Sequence, residues 1–262
     1  MPGSLIVDRP AAGVLRLTIS NPKTRNALDH AILGAISDEL AVLASDVRCV
    51  MLTGAHGMFS SGYDISEIAH ADFPVQAEKL VAHPFCRGLT ALDAIDIPTL
   101  AVLPGSAIGG GLELAVACDL RLAGSHIKLG MPPAKLGLIY SYSGLRRFID
   151  TVGAPRTREL FLLGRYIDAV TAHSWGLVNW VVDEDDLEEA ALGIATQLAA
   201  NAPLSMSGTK RVLRELLQAE GALDPDVERE LLALRASSFD SEDLIEGVSA
   251  FAEKRPPSWK GR

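Results

Sequence analysis

A chain of 262 residues, 48% of them hydrophobic, can bury one large core or a core with a small appendage, and 24 basic against 33 acidic residues give a formal charge of -9. That balance excludes a nucleic-acid footprint, which needs a basic face for phosphates, so an anionic ligand must be held by local features. No uncharged apolar run is long enough to span a bilayer, and MPGSLIVDRPAAG lacks both the basic and the apolar part of a secretory signal, so a cytoplasmic globular protein is expected.

In chain order, GVLRLTIS (13–20) is the first β-type run. LDHAILGAISDELAVLA then repeats apolar residues at Leu28, Ile32, Ile36, Leu40 and Leu43, predicting a helix with Asp29 as its cap. VRCVMLTG (47–54) predicts a second strand, a helix follows over about Val75 to Asp93, and TLAVLPG (99–105) is a third short strand closed by Pro-Gly. This alternation predicts an α/β fold of stacked strand and helix units. Beyond about residue 144 the pattern turns helical. LEEAALGIATQLAAN, PLSMSGTKRVLRELLQAE and DVERELLALRASSFDSEDLIEGVSAFAEKR carry apolar residues at helical spacing, with Pro203 and Pro225 near helix starts. Residues 1–183 are therefore expected to form the core and 184–262 a helical region.

Several chemistries lose support. The histidines at 30, 56, 70, 83, 126 and 173 form no HExxH or other metal-ligand spacing, and there is no GxSxG elbow or GxxxxGK[ST] phosphate loop. No metal site is expected. Cys49, Cys86 and Cys118 form no CxxC pair and read as reduced thiols.

Two glycine-bearing loops remain, each after a strand: FSSGYDI (59–65) and PGSAIGGGLELAVACDL (104–120). Consecutive glycines allow positive φ and let a ligand approach backbone N–H groups. At a helix start those groups lack partners and sit at the positive end of the dipole, so they suit an oxyanion. Tight packing alone is the competing explanation. Glu113 lies among Leu112, Leu114, Ala115 and Val116, where lost solvation raises a carboxyl pKa and makes it a candidate proton carrier. Its alternative is a buried ion pair with Arg121 or a neighbour.

These two loops resemble the oxyanion-forming motifs of the crotonase superfamily, the enoyl-CoA hydratase and isomerase fold. The similarity runs from about Leu5 to Ser258 and includes ISNPKTRNALD, AVTAHSWGLVNWVVDEDDL and DSEDLIEGVSAFAEKRPPSW. The resemblance implies a spiral of strand-strand-helix turns, with a C-terminal helical region mediating homotrimers that often pair into hexamers. It implies an acyl-CoA substrate and no permanently bound cofactor, coenzyme A being part of the substrate. The thioester oxygen would accept N–H bonds from Tyr63 and Gly110. Coenzyme A would run along Ser61, Tyr63, Asp64 and Ile65, with Lys23 or Arg25 near the phosphates and Lys254 reaching a ligand in a neighbouring subunit.

The sequence departs from the family's hydratases at their second glutamate. Alignment of Gly130, Pro132 and Gly137 within KLGMPPAKLGLIYSYSGLRRF puts Pro133 there, and proline has neither an acid nor an N–H. Downstream, YSYSG brings Tyr140, Ser141, Tyr142 and Ser143 where the family has a glycine-rich stretch. Tyr140 reads as a site residue and Ser143 as a helix cap. The methylmalonyl-CoA decarboxylase branch looks similar here, because it also lacks the second acid and carries a tyrosine matching Tyr140. Its first loop has histidine where this chain has Tyr63. The leading expectation is an acyl-CoA lyase or isomerase that stabilises an enolate, with Glu113 moving the proton. Decarboxylation using Tyr140 is one alternative, and a non-catalytic acyl-CoA binding protein is another.

Overall fold

The computed structural model describes residues 3–63, 85–221 and 225–260. Its main sheet has six strands. They are β1 (Ser4–Ala11), β2 (Val14–Ser20), β3 (Cys49–Gly54), β4 (Thr99–Leu103), β6 (Leu120–Gly124) and β9 (Trp180–Val182), in that spatial order. β1 pairs antiparallel with β2, and every later neighbour is parallel. A smaller sheet joins β5 (Ala107–Ile108), β7 (Lys128–Gly130) and β8 (Tyr166–Asp168).

β3 and β4 are apolar on consecutive positions because both faces are covered. Val50, Leu52, Ala101 and Leu103 face α1 (His30–Ala41) and α2 (Cys86–Ala94), within the larger core. Cys49, Met51, Leu100 and Val102 face Leu187, Ala191 and Ala195 of a later helix, Leu187–Ala200. That helix, beyond the expected boundary near 183, forms the sheet's second apolar cover. Asp29 caps α1 as expected, its carboxylate accepting from Ile32 N at 2.8 Å. Of the helix expected over about Val75 to Asp93, only Cys86 onward lies within the described residues.

α3 (Gly110–Val116) follows β5, and α4 (Tyr142–Leu163) packs on α3 and has a break at Gly153, φ 77°. α5 (Ala169–Ser174) leads to β9, and α6 is the sheet-covering helix Leu187–Ala200. Then come α7 (Pro203–Gly221), α8 (Pro225–Phe239) and α9 (Glu242–Glu253). The last long apolar segment is thus two helices, divided where Ser241 Oγ accepts from Leu244 N at 3.0 Å and restarts the chain as α9. Lys210 of α7 donates to Ile97 O and to Asp119, at 3.0 and 2.8 Å, which anchors α7 beside the sheet. No helix among the described residues is long and apolar enough to cross a membrane.

Two glycines fix how the loops after β3 and β4 stack. A Cβ at Gly54 would lie 2.1 Å from Met58 O, and one at Gly105 would lie 1.9 Å from Gly57 O. Gly34, inside α1, has nothing within 4 Å of such an atom. In urea denaturation, Gly105→Ala is expected to lower stability by about 3 kcal/mol or more because backbone must move. Gly34→Ala is expected to raise it by about 0.5–1 kcal/mol through helix propensity.

Candidate active site

The loop after β3, Ala55 to Tyr63, lies against the segment from Pro104 into α3. Phe59 N and Ser60 N both donate to Ser106 O, at 3.2 and 3.3 Å, and Ile108 N donates to Ser60 O at 3.0 Å. Gly62 has φ 100°, and Gly109, preceding α3, has φ 55°, conformations open to glycine. A Cβ at Gly62 would lie 2.9 Å from Ile108 O, one at Gly110 would lie 2.8 Å from the Tyr63 ring, and one at Gly111 would lie 2.6 Å from Ser60 Cβ. The glycine run therefore does two jobs. Gly109 turns the chain, while Gly110 and Gly111 let the two loops touch. Gly109 N donates to Gly130 O at 2.9 Å. Among the described residues, the backbone N–H groups of Tyr63 and Gly110 meet no acceptor.

Glu113 is one turn into α3 and only 2% exposed. The Tyr140 hydroxyl donates to its Oε2. Its Oε1 lies beside Gly144, where a Cβ would stand only 2.9 Å away, so α4 approaches the carboxylate through a residue without a side chain. Ser141, not Ser143, caps α4: its Oγ accepts from Gly144 N at 3.1 Å, while Ser143 lies within the helix. Arg121, the named alternative partner for Glu113, instead donates to the carbonyls of Leu177, Val116 and Cys118.

Burial pushes the Glu113 carboxyl above its ordinary value, against the opposing pull of the Tyr140 hydrogen bond and the charges of Arg147 and Arg235. Arg147 is itself held by Asp93 through two bonds of 2.9 and 2.8 Å. Burial likewise raises Tyr140 and Tyr63, keeping both phenols protonated. Their rings pack edge-on, Tyr63 against Phe85 with centroids 4.6 Å apart and Tyr140 against Phe161 at 5.2 Å. Next to this wall, the Tyr142 hydroxyl donates to Glu228 of α8.

A second group of expected residues meets at the outer side. Ser61 Oγ donates to Thr24 O at 2.8 Å, and Ser61 N to Arg25 O at 3.1 Å, which brings Lys23 and Arg25 to the first loop with both side chains exposed. The sequence reading missed the residue that holds this turn. Asn26, at φ 58°, donates to Ala55 O and Met58 O, both at 2.7 Å, and accepts from Asn21 N at 2.9 Å. Asparagine's tolerance of positive φ was the available signal. Asp64 and Ile65 lie outside the described residues. Lys254 is exposed at the end of α9, and no described contact joins it to the other site residues. Pro133 is buried at the start of a short 3-10 turn and offers a carbonyl, which accepts from Leu138 N at 3.1 Å. Among the described residues, no group of three or more His, Cys, Asp or Glu is arranged to hold a metal.

The sequence model for the family described as enoyl-CoA hydratase/isomerase matches residues 9–262. The 2,3-dehydroadipyl-CoA hydratase of Escherichia coli K12 is 35% identical over 260 residues, covering 98% of this chain and 99% of that protein. The carnitinyl-CoA dehydratase of Salmonella typhi is 33% identical over 255 residues, covering 95% of each. A solved methylmalonyl-CoA decarboxylase in complex with 2-nitronate-propionyl-CoA superposes with a TM-score of 0.89 at 27% identity, over 98% of both chains.

A buried carboxyl with a raised pKa opposes folding once it is ionised, so its cost is absent below the unfolded value and complete above the folded one. Glu113→Gln is therefore expected to melt at a higher temperature than the parent at neutral pH. The difference should narrow as pH falls toward the usual carboxylate range near 4.5. Thermal melts across pH measure this, and a difference independent of pH would contradict it.

Proposed function

Since the chain belongs to the enoyl-CoA hydratase/isomerase family, whose enzymes act on acyl-CoA thioesters, we propose that it is a lyase or isomerase in which Glu113 alone carries the proton. The observation that carries this reading is the buried Glu113 carboxylate, which accepts from Tyr140 one helical turn beyond Gly110. In this reading the thioester oxygen sits between the Tyr63 and Gly110 N–H groups, which are free of protein acceptors among the described residues. Negative charge moves to that oxygen when an enolate forms, and loss of one such donor costs about 2.7–4 kcal/mol of transition-state stabilisation in a characterised hydrolase. As an isomerase, ionised Glu113 takes a proton from one carbon and returns it at another while the double bond shifts; as a lyase, it takes the proton beside the thioester carbonyl and passes it to the β-substituent, whose bond to carbon breaks as the double bond forms. Tyr140 holds that carboxylate in place and favours its charged form. Lys23 or Arg25, on the turn joined to Ser61, meets the phosphates of coenzyme A.

Decarboxylation is the second reading, favoured by the likeness in fold to methylmalonyl-CoA decarboxylase. There the bond to the carboxylate breaks, carbon dioxide leaves, and its electrons form the same enolate, with no base required. It stands second because the Tyr140 proton is already directed at Glu113 rather than toward a substrate carboxylate. A protein that only binds acyl-CoA stands third, since binding has no use for a buried acid. We further propose that α7 joins copies of the chain into a homotrimer or a hexamer. Leu213, Leu216 and Leu217 leave about half their surface exposed there, and light scattering should give the mass of three or six chains.

Mass spectrometry of purified protein with crotonyl-CoA, a 3-enoyl-CoA and methylmalonyl-CoA separates these chemistries. Turnover of an enoyl-CoA is expected to fall at least a hundredfold in Glu113→Gln while binding persists, and unchanged turnover would remove Glu113 from its role. Tyr140→Phe removes a bond that favours ionised Glu113. The acidic limb of the kcat/KM profile should therefore move to higher pH, and an unmoved limb would deny the tyrosine its part. Release of carbon dioxide from methylmalonyl-CoA dependent on Tyr140 would promote the second reading.

A further inference from the structure

Helix α8 crosses the outside of the segment that delivers Tyr140. At one end Glu228 accepts from the Tyr142 hydroxyl. At the other Phe239 is buried with Leu244, against Leu138 and Val248. Two contacts, one on each side of Tyr140, fix the direction in which α8 runs. Arg235 lies seven residues after Glu228 and four before Phe239, so all three share one face of the helix. That face carries Arg235 along the segment between Tyr142 and Leu138, toward Tyr140. The guanidinium carbon sits 5.2 Å from the Phe239 ring centroid, a packing that fixes the half-buried side chain in place. Its positive charge is felt at Tyr63, Glu113 and Tyr140 of the site and at Cys86 at the start of α2.

A purely apolar acyl group has no acceptor to offer a charge on this side of the site, and desolvating a charge beside a hydrocarbon chain is costly. Arg147 is committed to Asp93 through both terminal nitrogens. Arg235 has five N–H donors on a planar fork, enough to keep an internal partner and also take two carboxylate oxygens. We propose that Arg235 is a specificity-determining residue that anchors a carboxylate at the far end of the acyl group, so that this site selects acyl-CoA esters of dicarboxylic acids. The proposal rests on the acyl-CoA reading above, and it adds the acid that the thioester chain ends in.

The test compares hexanoyl-CoA with adipyl-CoA, six-carbon saturated esters that differ by the terminal carboxylate and are inert to the proposed chemistry. Isothermal titration of the full chain is expected to give adipyl-CoA the tighter binding by about tenfold or more, the scale of one charge-assisted hydrogen bond. Arg235→Gln should abolish that preference while leaving the hexanoyl-CoA constant within about twofold. Arg235→Lys should keep part of it, which a merely structural role would not produce. Equal binding of the two esters by the parent, or a preference unchanged in Arg235→Gln, would overturn the inference while the acyl-CoA reading stands. Failure of both esters to bind the parent would overturn the acyl-CoA reading together with it.

Discussion

The site depends on two loops that touch backbone to backbone. The loop after β3 and the loop after β4 leave neighbouring parallel strands at their C-terminal ends, the place where open α/β sheets form ligand crevices. Parallel pairing alone would leave a gap between them wide enough for side chains. Here glycine at 54, 105, 110 and 111 removes those side chains, and hydrogen bonds from Phe59, Ser60 and Ile108 close the seam. The closure brings the Tyr63 ring onto Gly110, so two stretches far apart in sequence become one surface. The same closure explains why α3 starts where it does and why its fourth residue, Glu113, faces inward.

The buried carboxylate is the second constraint, and the surrounding structure answers it in layers. A charge withdrawn from water needs hydrogen bonds and opposite charge nearby, or it takes up a proton. Tyr140 supplies the bond, Gly144 gives α4 room to come close, and Arg147 and Arg235 add positive field from two different helices. Asp93 holds Arg147 in turn, which links α2 to the same centre. Burial still outweighs these neighbours, so the Glu113 carboxyl stays above its ordinary value and responds to any change among them.

Most of the fold was legible where one rule governs one element. Alternating and continuous apolar runs marked β2, β3 and β4 because their faces are covered from both sides, and Asp29 marked the start of α1. What escaped depends on contacts distant in sequence. β1 carries Asp8, Arg9 and Pro10 and is stabilised by pairing with β2 rather than by its own pattern. The break between α8 and α9 hides in a continuous helical periodicity and is visible only in the cap at Ser241. At the site, Glu113 and the two loops could be picked out because an acid in an apolar helix and glycines after strands are unusual, and Tyr140 because it stands where the family that the loops resemble has a glycine-rich stretch. Asn26 reaches Ala55 and Met58, Gly144 meets Glu113, and Arg235 acts on groups from other elements, so what these residues do is set by contacts distant in sequence.

Helix α8 also orders the site in time. The strands and loops bearing Tyr63, Gly110 and Glu113 are complete by residue 116, and Tyr140 follows soon after. The residues that lie over them, Glu228, Arg235 and Phe239, leave the ribosome about ninety residues later. At ordinary synthesis rates that is roughly 5–20 s, during which the half-built chain presents Tyr142, Leu138 and the pocket wall to solvent without their cover. The apolar edge of the site is thus a surface that the cell must tolerate on every nascent chain, and the last forty residues are what retire it.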